Sequence, residues 1–169
     1  MEMTDLRTFS YFASNEWHEP ASGQYFDSEN PATGEVWARV PDCNAADVDR
    51  AVQAAKTAYY DGPWGRMQPA ERGRVLRRIG DVISKHADRL GAIETRDNGK
   101  LPAAITPGLK PGQWQVDSWH YYAGMCDKFE GRVIPAEAPS IHNYLKWEPF
   151  GAVAQILPWN SPLGTLIWK

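Results

Sequence analysis

The sequence predicts an α/β fold, and features near its C-terminal end carry that prediction. Residues 150–157 are uncharged and bounded by turn residues, a pattern typical of a strand buried on both faces of a parallel sheet. A Pro-Trp-Asn corner follows at 158–160, and Ser161-Pro162 then predicts a helix start, with Ser as N-cap and Pro at the first helical position. Open α/β sheets place ligands at such corners, where strands end. Asn160 stands at this corner.

Length and composition indicate a globular chain. Its 169 residues are enough for one domain with a core, or for a domain and a piece of another. A hydrophobic fraction of 43% is typical of a globular protein, and a net charge of -3 argues against a nucleic-acid-binding surface. Residues 149–168 carry no charge, but Pro158, Asn160 and Pro162 would leave backbone groups unpaired in lipid. We therefore expect a soluble protein with neither a nucleic-acid nor a membrane partner.

The common signatures of phosphate, zinc and serine-hydrolase sites are missing from the sequence. It contains no GxGxxG, GxxxxGK[ST], HExxH or GxSxG motif. The four histidines are dispersed and fit surface or packing roles better than metal ligation, so we expect no metal. Cys43 and Cys126 form no CxxC pair and fit a reducing, cytosolic compartment.

The first part of the chain predicts an irregular arm followed by a hairpin. Residues 1–20 show no clear period and are assigned to the arm. The Asn-Pro-Ala-Thr-Gly turn at 30–34 lies between two apolar segments and predicts a β-hairpin. Trp37 and Arg39 are expected on the outer face of the hairpin. Its buried face is expected to hold Val36, Ala38 and Val40.

Helical periodicity predicts four helices between the hairpin and residue 131. Asn44 and Asp47 provide an N-cap and an early carboxylate for the first, and Pro69 opens the second. The four predicted helices run from Asn44 to about Tyr60, from Pro69 through Ile83, from Ala87 to Asp97, and from near Gln113 to Cys126. The breaker-rich stretch 101–112 excludes an ordinary helix. Arginines on the second helix are interpreted as a solvated face.

The last part predicts a ribbon and then the strand and helix described first. Segments 131–134 and 141–147 are expected to be strands of a ribbon that is marginal alone and completed by another subunit or further chain. A strand at 152–157 needs parallel neighbours. We therefore expect 1–169 to be a fragment of a longer protein.

Several motifs together resemble the NAD(P)-dependent aldehyde dehydrogenases, in the order seen in that family. They cover residues 30–169, nearly all of this chain but only the leading portion of a family member. The motifs are Asn30-Pro31-Ala32-Thr33-Gly34-Glu35, Ala45-Ala46-Asp47-Val48-Asp49, Pro63-Trp64, Glu94-Thr95 with Asp97-Asn98-Gly99-Lys100, Tyr121-Tyr122-Ala123-Gly124, Glu148-Pro149-x-Gly151, Pro158-Trp159-Asn160-x-Pro162-Leu163 and Trp168-Lys169.

The resemblance implies a mechanism and a role for Asn160. In the family a cysteine thiolate attacks the aldehyde, hydride passes to the nicotinamide, and a glutamate-activated water hydrolyses the thioester. The developing oxyanion needs a neutral hydrogen-bond donor, and Asn160 matches that donor. From the residues alone, an N-cap role for Asn160 is an equal alternative. The resemblance favours catalysis.

The same resemblance implies a cofactor, NAD or NADP, and a set of residues near it. Ile156, Leu157, Pro158 and Trp159 match the segment that lines the dinucleotide cleft, although sheet core is their alternative role. Lys169 matches a lysine near the cofactor and active site, but it could equally be solvated.

The resemblance also divides the chain and limits what it can do. Residues 1–20 are the arm, 21–131 the first part of a Rossmann-type cofactor domain, 132–149 an oligomerisation ribbon, and 150–169 the first strand and helix start. The family's nucleophile and general base match nothing in these residues, and neither cysteine is assigned as nucleophile.

The longer protein of which 1–169 is a part, called the parent below, is expected to be a cytoplasmic homodimer or homotetramer that oxidises a small aldehyde. Residues 1–169 are expected to be inactive alone. Two alternatives stay open. One is a non-catalytic interaction protein docking on a full-length homologue, and the other is a stand-alone nucleotide-binding module.

Overall fold

The computed structural model describes residues 6–101 and 112–169. Strands come first, a helical segment follows, and a two-stranded ribbon and a last helix end the chain. The strands are β1 (Arg7–Thr8), β2 (Tyr11–Ala13), β3 (Glu16–His18), β4 (Tyr25–Asn30), β5 (Glu35–Pro41), β6 (Arg132–Ile134) and β7 (Asn143–Leu145). The helices are α1 (Ala45–Tyr60), α2 (Pro69–Lys85), α3 (Ala87–Asn98), α4 (Gln113–Met125) and α5 (Pro162–Trp168), with a 3₁₀ turn at Trp64–Arg66.

The predicted hairpin around residues 30–34 is confirmed. Strands β4 and β5 pair antiparallel, and β1 adds to the other side of β5 in parallel. Gly34 has a φ of +72°, the left-handed conformation that the turn requires. This hairpin matters for the rest of the fold because its turn later packs against the end of α3.

The predicted faces of β5 were wrong at Trp37. Its side chain is buried rather than outward. The pairing is irregular between Ser28 and Glu29: Ser28 lies opposite Ala38, while Glu29 lies opposite Val36. Trp37 is therefore the extra residue of a β-bulge, which resets the alternation of faces, so Val36 is exposed.

The expectation of an irregular arm over residues 1–20 was also wrong. Strand β1 joins the main sheet, and β2 and β3 form a hairpin of their own. Its turn is made by Ser14 and Asn15, with φ values of 52° and 64°. Two successive left-handed residues match the twist of a tight hairpin, and Asn adopts this conformation readily.

All four predicted helices are present. In helix α2, Val82 is exposed, whereas Gly73 and Gly80 are buried against α4. A Cβ atom at Gly73 would lie 2.6 Å from the carbonyl oxygen of Ala123, and one at Gly80 would lie 3.0 Å from the His120 ring. The two glycines, seven residues apart, let the helices approach closely, which apolar periodicity alone does not reveal.

The predicted buried strand at 150–157 is not formed. Residues 153–158 have no regular secondary structure, and the side chains of Phe150 and Ile156 are 95% and 86% exposed. A β-strand requires at least one hydrogen-bonded neighbour, and no strand in the described part of the chain pairs with this segment. The helix that follows it, α5, is formed as predicted.

The predicted ribbon is confirmed as an antiparallel pair. Strands β6 and β7 align Val133 with Tyr144, and every residue of both strands is exposed. Both are shorter than predicted, as expected for a two-stranded ribbon without a third element. Most of the breaker-rich stretch falls on residues 102–111, which lie outside the described residues.

A buried carboxylate connects the N-terminal hairpin, the following loop and helix α1. Asp47 is 1% exposed. It accepts hydrogen bonds from the Tyr11 hydroxyl at 3.1 Å, the Ala21 amide at 3.1 Å and the Asn44 amide at 3.0 Å. The Asn44 side chain accepts in turn from the Asp47 amide, which completes a capping box. The predicted N-cap is confirmed, and Asp47 holds three segments together.

Replacing Asp47 by Asn should destabilise the protein, because the new NH₂ group would face backbone N–H donors. We expect Asp47→Asn to lower the melting temperature by roughly 5 °C at pH 7. The exposed Asp49→Asn variant on the same helix is the control and should change it little. Equal melting temperatures for the two variants would contradict the role given to Asp47.

The stabilising effect of Asp47 should depend on pH. Burial alone would raise its pKa, but the hydrogen bonds from Asn44, Ala21 and Tyr11 outweigh burial and hold the pKa below its ordinary value. This stabilisation is therefore present above the unfolded-state pKa of about 3.9 and is lost as the pH falls through the lower folded-state pKa. Thermal melts from pH 7 to pH 2 should show the difference between wild type and Asp47→Asn shrinking below about pH 4.

Candidate active-site corner

The candidate site is the corner at residues 158–161, at the start of helix α5. Ser161 occupies the predicted N-cap position, but its side chain makes no capping hydrogen bond, which corrects that part of the prediction. The Thr165 hydroxyl instead donates to the Ser161 carbonyl oxygen at 2.8 Å, and the Thr165 amide donates to the same oxygen at 3.0 Å. The start of helix α5 is therefore stabilised by the bonds from Thr165 to the Ser161 carbonyl oxygen and not by a side-chain cap.

The end of helix α3 holds this corner through one side-chain amide. The Asn98 Nδ2 group donates to the carbonyl oxygen of Trp159 at 3.2 Å and to that of Asn160 at 3.4 Å. The Asn98 Oδ1 atom accepts from the Lys100 amide at 2.9 Å. These two hydrogen bonds to the corner connect residues that are 61 and 62 positions apart in the sequence.

A second, charged contact lies beside the first. The Lys100 ammonium lies 3.7 Å from Glu94 Oε2 and 3.5 Å from the Ser161 hydroxyl. Glu94 is only 8% exposed, and its Oε1 atom has no hydrogen-bond partner among the described residues. The Lys100 ammonium neutralises the nearly buried Glu94 carboxylate, and its contact with Ser161 places this ion pair beside the corner.

The end of α3 is itself held by the hairpin. The Ser28 hydroxyl donates to Asp97 at 2.7 Å and accepts from the Trp37 indole at 3.0 Å. Gly99 ends the helix with a φ of +74°, and a Cβ atom there would lie 2.9 Å from the Pro31 ring. The hairpin turn, the helix end and the corner thus form one connected structure.

The structure leaves the Asn160 side chain free. Asn160 is exposed, and its carboxamide makes no hydrogen bond within the described part of the chain. The alternative that Asn160 caps α5 fails, because Ser161 is the residue at the N-cap position. A neutral donor on a backbone fixed by Asn98 can bind an oxygen that gains negative charge.

The other predicted site residues lie around this corner, but not all together. Ile156 and Trp159 are exposed, at 86% and 76%, Pro158 is exposed and Leu157 is half-buried. Lys169 is exposed at the far end of α5, about 10 Å along the helix axis from the corner. The structure therefore groups residues 156–160 and leaves Lys169 apart.

Neither cysteine has the environment of a nucleophile. Burial raises the pKa of the Cys43 thiol, and the nearby carboxylates Asp47 and Asp42 raise it further. The Cys126 thiol donates to the Tyr122 carbonyl oxygen at 3.4 Å, one turn back along α4. A reactive cysteine needs a lowered pKa, so the Cys43 thiol is poorly suited to attack.

Two negative findings concern residues 6–101 and 112–169 only. Within these ranges no helix has both the length and the apolar character needed to span a bilayer. In the same ranges, no three His, Cys, Asp or Glu side chains gather as a metal site would require.

Comparison with known proteins assigns the family. The sequence model of the aldehyde dehydrogenase family matches residues 17–169. The chain belongs to the aldehyde dehydrogenase family. The resemblance inferred from the ordered motifs is thereby confirmed.

Individual aldehyde dehydrogenases and related enzymes match almost the whole chain. The (Z)-2-((N-methylformamido)methylene)-5-hydroxybutyrolactone dehydrogenase of Acinetobacter baylyi is 39% identical over 158 residues. The mitochondrial aldehyde dehydrogenase of Homo sapiens is 42% identical over 159 residues. Each alignment covers 94% of this chain, but only 31% and 30% of the respective relatives. The chain thus spans about a third of the length of the proteins it matches.

Solved structures of the family agree with the fold. The NAD⁺ complex of the aldehyde dehydrogenase from Bacillus cereus has a TM-score of 0.86 at 36% identity and covers 95% of this chain and 32% of that one. An indole-3-acetaldehyde dehydrogenase in its apo form has a TM-score of 0.85 at 31% identity, with coverage of 95% and 36%. This confirms the predicted α/β fold class, although residues 150–157 are not paired as a strand.

The sequence did not reveal which residues hold the corner. Glu94, Asn98 and Lys100 belong to a motif that indicated the family, yet no role was assigned to them. Two parts of that motif were available as signals. An Asn-Gly pair ends a helix, and a carboxylate six residues before a lysine can meet it across the helix end. Neither signal identifies the corner as the partner, because that contact is long-range.

Gly99 offers a test of the connection between hairpin and helix. We expect Gly99→Ala to destabilise the chain by about 1–2 kcal/mol, since Ala would be strained at positive φ and would crowd Pro31. Gly91→Ala, in the same helix with open space around it, should instead stabilise by about 0.5–1 kcal/mol. Urea denaturation measures both. A change of stability in the same direction for both substitutions would contradict the close packing of Gly99 against Pro31.

Proposed function

We propose that residues 1–169 are the N-terminal portion of an aldehyde dehydrogenase that oxidises an aldehyde to a carboxylic acid with NAD or NADP. In this proposal Asn160 is the oxyanion donor of the active site. The observation that carries it is an exposed, unpaired carboxamide on a corner whose backbone is held by Asn98. Membership of the family supports the reaction class.

The chemistry explains why a carboxamide suits this position. When a nucleophile adds to an aldehyde, the carbonyl oxygen gains negative charge and needs a donor that is already in place. An amide N–H donates without giving up its proton, whereas a carboxylate would repel the charge. Because the Asn160 side chain does not cap helix α5, both of its N–H groups remain available to a substrate.

The proposed cofactor surface is the apolar segment before the corner. Ile156 and Trp159 are exposed and Leu157 is half-buried, so their apolar surface is available to the rings of a dinucleotide. When bound, NAD(P) would supply the hydride acceptor for the oxidation. One wall of its cleft would be formed by Ile156, Leu157, Pro158 and Trp159, and Lys169 is assigned to the cofactor side. The NAD⁺ complex of the Bacillus cereus relative supports a nicotinamide cofactor.

The remaining groups are proposed to come from the rest of the parent enzyme. The reaction requires a cysteine that forms a thiohemiacetal and then a thioester, together with a base that activates water. Cys43 has a raised pKa, and neither cysteine matches the nucleophile. We therefore expect the isolated chain to be inactive.

The arrangement of the parent is also a proposal. The exposed ribbon formed by β6 and β7 would be completed by a neighbouring subunit in a homodimer or homotetramer. We keep as a prediction the division into an N-terminal segment at 1–20, which carries strands β1 to β3 and is not irregular, a cofactor-domain portion at 21–131, a ribbon at 132–149 and the segment 150–169. We also propose a cytoplasmic location.

A second candidate function is a non-catalytic fragment that docks on a full-length homologue. The fully exposed ribbon favours this alternative, because its two strands lack a further neighbour in the described residues. The coding sequence after Lys169 separates the two. An in-frame continuation with Glu-Leu-Gly-Gly and Gly-Gln-x-Cys motifs supports the enzyme, whereas a stop codon and co-purification with a homologue support the docking fragment.

Asn160→Ala tests the catalytic proposal in the full-length protein. We expect kcat for aldehyde oxidation, followed as NAD(P)H absorbance, to fall by about two to three powers of ten. Gln53→Ala removes an exposed carboxamide from α1 and should leave kcat nearly unchanged. An Asn160→Ala enzyme with wild-type kcat would refute the oxyanion role, and steady NAD(P)H production by isolated 1–169 would refute the division of the active site.

A further inference from the structure

The Asn98 carboxamide holds the backbone on both sides of Asn160. Its two acceptors are the carbonyl oxygens of Trp159 and Asn160. The first belongs to the peptide group before the Asn160 Cα atom, and the second to the peptide group after it. We propose that Asn98 is the positioning residue of the active site and aims the Asn160 side chain by fixing both peptide planes. This inference rests on the oxyanion role proposed for Asn160.

The geometry restricts the direction of the Asn160 side chain. The orientations of the two flanking peptide planes define the backbone torsions at Cα, and these define where Cβ points. One nitrogen with two hydrogens can serve two acceptors, and the distances of 3.2 and 3.4 Å allow both. The carboxamide of Asn160 is thus aimed by its backbone without being engaged itself.

The orientation of the Asn98 side-chain amide is itself fixed by a hydrogen bond. Its Oδ1 atom accepts from the Lys100 backbone amide at 2.9 Å, so the oxygen must face that N–H and the nitrogen must face the corner. The turn that brings Lys100 into place passes through Gly99 in the left-handed conformation. The side chain is therefore pre-oriented by its own helix end, independently of any substrate.

The neighbouring ion pair supports the same position from the other side. Lys100 contacts the Ser161 hydroxyl at 3.5 Å and the buried Glu94 carboxylate at 3.7 Å. These contacts reach the helix side of the corner but neither carbonyl that Asn98 holds. The two hydrogen bonds from the Asn98 side chain, and not the ion pair, therefore set the backbone conformation of Asn160.

Asn98→Asp is the sharpest substitution because it keeps the size of the side chain. Its carboxylate can still accept from Lys100 but has no hydrogen for the Trp159 and Asn160 oxygens, and it would repel both. We expect kcat of the full-length enzyme to fall about ten- to a hundredfold, as misplacement of a catalytic group does, with KM for the cofactor within about twofold. The exposed, isosteric Asp88→Asn exchange in the same helix is the control and should leave kcat unchanged within about twofold.

A double-mutant cycle separates positioning from general damage. If Asn98 acts through Asn160, Asn98→Asp should lower kcat strongly in the wild type and hardly at all in an Asn160→Ala background. Equal losses in both backgrounds would overturn the inference. If Asn160→Ala has no effect by itself, the proposed function fails instead. If Asn160→Ala lowers kcat and Asn98→Asp does not, only the inference fails.

The chain 1–169 provides a readout that needs no activity. In ¹H–¹⁵N relaxation measurements, Asn98→Asp should lower the backbone order parameters of residues 159–161 while those of α1 and α2 stay unchanged. A corner as ordered in Asn98→Asp as in the wild type would contradict the inference. Loss of order throughout the chain would also contradict it, because it would assign Asn98 a general structural role.

Discussion

Both peptide groups that flank Asn160 accept a hydrogen bond from the same carboxamide, that of Asn98. Lys100 contacts the Ser161 side of the corner, but the preceding residues 153–158 have no regular secondary structure that would support it. Helix α5 begins at Pro162, and the Ser161 side chain before it makes no capping hydrogen bond. The position of the candidate catalytic donor therefore depends on the C-terminal end of α3.

That helix end is fixed by contacts that reach back to the first hairpin. The bulge in β5 turns Trp37 inward, where its indole bonds Ser28, and Ser28 bonds Asp97. Pro31 of the hairpin turn packs against Gly99. Local features of the first hundred residues thereby determine the geometry at residue 160, through a series of short polar contacts and one close glycine contact.

Exposed apolar surface distinguishes the corner from this well-connected region. Phe150 is 95% exposed and Ile156 is 86% exposed, although phenylalanine and isoleucine side chains are usually buried in folded proteins. The family relatives are about three times as long as this chain. Surface of this kind suits contact with a cofactor and with further protein, which is the arrangement proposed for the parent enzyme.

The sequence predicted local features well and long-range ones poorly. The N-cap at Asn44, the hairpin turn at 30–34 and the start of α5 follow from residues close together in the chain, and all are present. The inward Trp37 was missed because a bulge depends on the register with the partner strand. The strand at 150–157 was predicted from its apolar content, but strand formation requires neighbours that local sequence cannot supply.

The same distinction applies to the candidate site. Asn160 and the apolar residues before it were found because they are contiguous and match a family motif. Their support by Asn98, 62 residues earlier, was not found, because a side-chain contact over that distance leaves no periodic signal.

In the proposed arrangement, Asn160 presents a free carboxamide to a developing oxyanion from a corner held by Asn98. A crystal structure of the full-length protein with an aldehyde-derived adduct trapped in the active site tests it most directly. We expect the Asn160 Nδ2 atom within about 3 Å of the adduct oxygen, with Asn98 still bonded to both carbonyl groups. An adduct oxygen bound by other donors, with Asn160 turned away from it, would contradict the oxyanion role of Asn160.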